Sequence, residues 1–151
     1  MSKKQWGNCV WITFHTISEK LKFEYDNEAS IILKYIIDIT TILPCSYCRE
    51  HSNKKLSKIN FSSIKNKNDL KMFLYEFHNI VNNDTKKQKQ DICILNNYSK
   101  YNLKKVLTYF FKIMNYRYGT LNSSIFISMN KKRILNNFNL YLRKNYYKFN
   151  N

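Results

Sequence analysis

Val10, Trp11, Phe14, Ile17 and Leu21 recur at three- and four-residue intervals, the spacing that lines one face of an α-helix. A second run, Ile31, Ile32, Tyr35, Ile36, Ile39 and Leu43, extends to Pro44. That proline ends the run and is expected to open a short third helix, where its fixed φ suits a first turn. Another long amphipathic stretch begins near Asp69, with Asn68 as its expected cap, and carries Leu70, Phe73, Leu74, Phe77 and Val81. It gives out within the polar, lysine-rich residues 82–90. Leu103, Val106, Leu107, Phe110, Phe111 and Met114 predict a further helix. Gly119 with Asn122, Ser123 and Ser124 marks a break, and residues 130–147 carry a weaker helical pattern. Strict alternation and hairpin dipeptides are missing, which argues against strands. The expected class is therefore all-α, with four helices forming a compact bundle by about residue 95. Residues 1–100 read as one domain and residues 101–151 as an appended, basic helical extension.

Composition sharpens the partners more than the fold. At 151 residues the chain suits one domain, and 44% hydrophobic with 16% aromatic residues excludes disorder throughout. The formal net charge is +16, and no Asp or Glu follows Asp91 whereas eleven Lys and Arg do. A basic half suits a polyanion, a membrane face or an acidic partner. Lys, Asn, Ile, Tyr and Phe, all abundant here, are also the residues of A/T-rich codons, so nucleic-acid binding stays a secondary reading. No stretch approaches the ~18 unbroken apolar residues of a membrane span. Met1 to Gln5 lead into Trp6 and Gly7 without the apolar run of a secretory signal. The expectation is a cytoplasmic protein whose four cysteines serve redox or metal chemistry rather than structural bridging.

Leu43-Pro44-Cys45-Ser46-Tyr47-Cys48 carries the sharpest local signal. Two cysteines three residues apart at a helix start can close a disulfide, and the positive helix end lowers the pKa of the first thiol. The pair could equally be half of a zinc site, with His51 as a third ligand. Against zinc, no second Cys-x-x-Cys occurs, and Cys9 and Cys93 stand singly. His51 otherwise reads as a local cap or packing residue. A thioredoxin-like fold would need strands before the motif, and the flanks are helical.

Three stretches, in order, resemble the Erv/ALR family of FAD-linked sulfhydryl oxidases. Gly7, Trp11 and His15 match the opening Gly-x-x-x-Trp-x-x-x-His helix, Pro44-Cys45-Ser46-Tyr47-Cys48 the Pro-Cys-x-x-Cys, and His78-Asn79-Ile80-Val81-Asn82 with Lys86-Lys87 the His-Asn-x-Val-Asn and its following lysine. The resemblance implies a four-helix bundle holding FAD, a short fifth helix and a homodimer, with no metal. It implies that Cys45 exchanges with a thiol-containing protein substrate or carrier, while Cys48 passes electrons to the flavin and dioxygen becomes hydrogen peroxide. Gly7, Trp11, His15, His78, Asn79, Val81, Asn82, Lys86 and Lys87 are then the cofactor-binding candidates. Gly7 allows close backbone approach, and Trp11 with His15 shares one helix face suited to a flat ring. His78 and Asn82, one turn apart, can hydrogen-bond ring and ribose, and Lys86 or Lys87 can meet the pyrophosphate.

The chain also departs from the family pattern. Cys93 sits near one position of a family structural disulfide, but the region of Tyr75 offers no partner cysteine. Glu19 replaces the usual aromatic residue one turn after His15, and nothing beyond about Tyr101 matches. A/T bias and the absence of a shuttle arm suit a member from a large DNA virus, acting in host cytoplasm or virion. The competing reading is a basic, zinc-containing module that binds nucleic acid or a partner without catalysis.

Overall fold

The computed structural model describes residues 2–116 and 125–151, so the break expected at Gly119 to Ser124 lies outside the described residues. Among the described residues six α-helices follow in order: α1 (Lys3–Lys20), α2 (Ala29–Thr40), α3 (Ser46–Leu56), α4 (Lys67–Asp84), α5 (Leu103–Asn115) and α6 (Ile125–Asn145). Short 3-10 segments at Phe23–Glu28, Phe61–Ser63, Ile92–Lys100 and Tyr146–Lys148 join or extend them. Among the described residues there is no strand, only one isolated bridge between Leu21 and Phe149. The all-α expectation holds, and Ile92–Lys100 takes the place of the short fifth helix.

The helix starts are set by capping side chains. Ser2 and Gln5 form a reciprocal capping box that begins α1 well before its first periodic residue. α4 starts at Lys67 rather than Asp69: Asn66, not Asn68, is the cap, its side chain accepting from the Asp69 amide at 2.9 Å. Asp26 also accepts the Lys67 amide at 3.0 Å, a tertiary contact that fixes this start. α2 stops at Thr40, short of Leu43, where the Thr40 and Thr41 hydroxyls turn back onto the Ile37 and Asp38 carbonyls. Pro44 precedes the cap of α3 instead of occupying its first turn; Cys45 is the cap.

α1 is the hub of the packing and lies against α5, α4, the Ile92–Lys100 segment and α2. Phe14, Ile17 and Leu21 meet Ile32, Leu33, Ile36, Leu70, Leu74, Leu103, Phe110 and Met114 in one cluster, which Phe138, Leu142 and Phe149 also enter. The residues beyond 100 therefore build the same core as those before it. Burying a Leu or Phe is worth about 1.5–3 kcal/mol, which makes the α1–α5 contact a large share of any such fold's net stability.

A buried polar knot fastens the end of the chain to the start of α2. Tyr141 donates to Glu28 Oε2 at 2.6 Å, and Lys148 Nζ pairs with Oε1 at 2.5 Å. Burial alone would raise the Glu28 carboxyl, but Lys148 and Tyr141 outweigh it and hold it below its ordinary value. Burial and then Glu28 push the Tyr141 hydroxyl far above the usual phenol range.

Candidate functional site

Cys45 and Cys48 are joined in a disulfide at the start of α3, with their Cα atoms 5.1 Å apart. The Cys48 amide donates to Cys45 Sγ at 3.2 Å, so the first sulfur is the helix cap and sits at the positive helix end. Arg49 Nη1 donates to the Leu43 carbonyl at 2.6 Å and pins the chain that leads into the pair.

Cys48 faces a cleft between α1, α3 and α4 of about 880 Å³, its solvent-open mouth included. Gly7, Trp11, His78, Val81, Asn82 and Lys87 line it beside Cys48. Trp11 and His78 lie face to face, ring centroids 3.9 Å apart and planes 4° apart. No ring fits between them, so a flat ligand would lie against the stack. A Cβ built on Gly7 meets nothing within 4 Å, which means that the missing side chain is cleft space rather than a packing constraint.

Four of the expected residues do not reach the wall of this cleft. Cys45 stands outside it as the helix cap. His15 is buried behind His78: their Nε2 and Nδ1 share a hydrogen bond of 3.1 Å, and Tyr98 stacks on its other side at 4.6 Å. Asn79 clamps the following loop, donating to the Gln90 carbonyl at 3.2 Å and accepting its amide at 2.8 Å. Lys86 takes the left-handed turn that ends α4, φ 56°, and that turn delivers Lys87 to the cleft. Glu19, where an aromatic residue was expected, pairs with Lys71 of α4.

Burial, and next the neighbouring His78, lowers the His15 pKa to about 3. Burial, and next the Lys87 ammonium, lowers that of His78 to about 4. Both imidazoles are neutral at physiological pH, and the Lys87 ammonium further disfavours charge on His78. A flat aromatic wall, an unobstructed glycine and a lysine at the mouth fit a planar cofactor that carries phosphate.

From the sequence His51 read as a third zinc ligand or a local cap, and Asp84 carried no signal. His51 lines the cleft one turn beyond Cys48, and its Nε2 lies 2.8 Å from Asp84 Oδ2. Tyr47 stacks on the imidazole at 5.8 Å. The spacing from Cys48 to His51 was the available signal; the acidic partner, on another helix, was not visible. Cys9 is buried, and burial pushes its thiol up to about 11, while Cys93 is an exposed free cysteine beside Asp91.

A model of the Erv1/Alr family matches residues 8–116. The chain belongs to the Erv1/Alr family. The match runs past Tyr101 and through α5, correcting the expectation that resemblance stops there. Among curated proteins, the chain is 26% identical over 83 residues to a probable FAD-linked sulfhydryl oxidase of Fowlpox virus (strain NVSL), covering 55% of this chain and 81% of that one. No solved structure gives a significant match. Among the described residues no group of three or more His, Cys, Asp or Glu could hold a metal ion, and no helix is long and apolar enough to cross a membrane.

Proposed function

We propose that this chain is an FAD-linked thiol oxidase that makes disulfides in protein substrates. The observation that carries the reading is the unequal placement of the two cysteines: Cys48 lines a cleft walled by the Trp11–His78 stack, and Cys45 stands outside it. A substrate thiolate attacks Cys45 Sγ, the Cys45–Cys48 bond opens, and its electron pair goes to Cys48 Sγ. A second substrate thiolate then attacks the mixed disulfide and leaves both cysteines reduced. The α3 N-terminus favours the Cys45 thiolate as leaving group. When bound, FAD supplies the two-electron acceptor that the dithiol reduces and dioxygen reoxidises, with hydrogen peroxide as product.

Trp11 and His78 offer the flavin nucleotide an aromatic face, Gly7 leaves room beside it, and Val81 closes the apolar wall. Asn82 supplies polar contacts, and Lys87 meets phosphate. His15, Asn79 and Lys86 act one step back, through His78, the 85–91 loop and the turn before Lys87. A thiol-bearing protein or carrier and dioxygen are the partners. A homodimer belongs to the same reading through the family resemblance, and action in host cytoplasm or virion draws on the viral source of the relative. The zinc alternative lacks a ligand set among the described residues, and the disulfide engages the two sulfurs it would need.

The purified protein is expected to be yellow, to show a flavin absorption band and to consume oxygen with dithiothreitol. Cys48→Ser should keep the flavin and abolish turnover. A folded chain that stays colourless after incubation with FAD, or full oxygen uptake in Cys48→Ser, overturns the reading.

A further inference from the structure

We propose that His51 is the proton acceptor for the Cys48 thiol and that Asp84 is its positioning residue. The inference rests on the thiol oxidase reading and deepens it. Cys48 and His51 stand three apart on α3, where side chains are neighbours about 5–6 Å apart at Cβ, and both line the cleft. His51 Nε2 lies 2.8 Å from Asp84 Oδ2, and a neutral ring that keeps its proton on this side leaves Nδ1 as the acceptor. Tyr47 lies nearly parallel to the ring, planes 16° apart. Sequence-distant α4 thus supplies a carboxylate that fixes both tautomer and orientation, the geometry that activates a thiol through a neighbouring imidazole.

In the reduced protein the proton moves from Cys48 Sγ to His51 Nδ1, giving a thiolate beside an imidazolium; no bond between heavy atoms changes and no oxidant is consumed. Asp84 stabilises the imidazolium. The other charges facing this pair are Lys55, whose Nζ lies 3.5 Å from Asp84 Oδ2, and Lys4 and Lys87 on the cleft wall, with neutral His78 opposite. Arg49 is engaged with the Leu43 carbonyl. The two thiols are therefore tuned by separate devices: the helix terminus serves Cys45, and the His51–Asp84 pair serves Cys48.

The test reads the thiol and not turnover. In the full-length, flavin-loaded chain carrying Cys45→Ser, Cys48 is a free thiol, and its alkylation by iodoacetamide is followed by peptide mass spectrometry from pH 5 to 10. Adding His51→Gln should raise the midpoint by about one pH unit and slow alkylation at pH 7 roughly tenfold. Asp84→Asn should raise it by a smaller amount, and Asp84→Glu should restore it. Superimposable Cys48 profiles with and without His51 overturn the proposal, as does a profile that ignores Asp84→Asn. Flavin absorbance in each variant reports folding. Flavin binding and oxygen uptake by the unsubstituted chain test the oxidase reading separately, so the two can fail independently.

Discussion

Gly7 separates stability from cofactor binding, because the same substitution should move the two in opposite directions. It sits inside α1, and an added Cβ has no heavy atom within 4 Å. In a helix interior Gly costs about 0.5–1 kcal/mol relative to Ala. With nothing to clash against, Gly7→Ala should stabilise the flavin-free protein by about that amount, or about 1–4 °C in melting temperature for a chain of this size. The new methyl projects into the cleft beside Trp11 and Cys48, where a bound flavin nucleotide would lie. Forcing a methyl into a filled contact costs about 1–3 kcal/mol, a roughly 5- to 150-fold rise in the FAD dissociation constant. Gly7→Leu keeps most of the helix gain and enlarges the obstruction, so affinity should fall further while the melt stays raised. Thermal unfolding of the flavin-free forms and FAD titration followed by fluorescence quenching give both quantities. An unaltered affinity in Gly7→Leu would show that the cofactor does not lie along this stretch of α1, and a lowered flavin-free melt would show that the space beside Gly7 is not open.

Lys87 lines the cleft and Lys86 holds a left-handed turn, so their substitutions should differ in kind. Lys86→Gly should add about 1 kcal/mol in chemical denaturation and leave FAD affinity unchanged, whereas Lys87→Ala should weaken FAD binding without changing stability. Glu28 has its pKa held below the unfolded value, so its contribution is complete above the unfolded carboxylate value of about 4.3 and is lost as pH falls through the folded one. Glu28→Gln should cost about 1–3 kcal/mol at pH 7 in urea denaturation and flatten the acid limb of the stability curve. A chain ending at residue 100 loses Leu103, Phe110, Met114, Phe138 and Leu142 from the shared core, at about 1.5–3 kcal/mol each against a typical total of 5–15. It should show no cooperative melt by circular dichroism; a sharp transition would restore the view of residues 101–151 as a separable appendage.

Helix faces were legible where a stripe was long. Phe14 and Ile17 on α1 with Leu21 at its C-cap, Ile32, Ile36 and Ile39 on α2, and Leu70 and Leu74 on α4 are all buried in the core, as their spacing required. The ends were less so, because local chemistry left ties that tertiary contacts broke. Asn66 and Asn68 are equally good caps in isolation, and Asp26, far earlier in the chain, decides for the first by taking the Lys67 amide. The stripe on α5 demanded burial without saying against what, and α1 is the answer. Within the site, Trp11, His78 and Asn82 were readable from two helical motifs that face one cleft. His51 was legible only as a possible third zinc ligand or a local cap, because no periodicity links a residue on α3 to Asp84 at the end of α4.

The buried His15 affects the cleft without reaching it. Both imidazoles are neutral at physiological pH, so each carries one proton, and the single hydrogen bond between His15 Nε2 and His78 Nδ1 ties the two choices together. If His15 donates, His78 must hold its own proton on Nε2 and presents a donor on the side away from His15. If His78 donates, that nitrogen is an acceptor instead. His15 Nδ1 is buried and has no partner. In the first arrangement it is a bare acceptor, and in the second an orphaned N–H, the rarer and costlier of the two in folded proteins. Burial therefore selects the first arrangement, and His78 offers a hydrogen-bond donor. His15 sets this polarity through its own desolvation, although it is 2% exposed and outside the cleft wall.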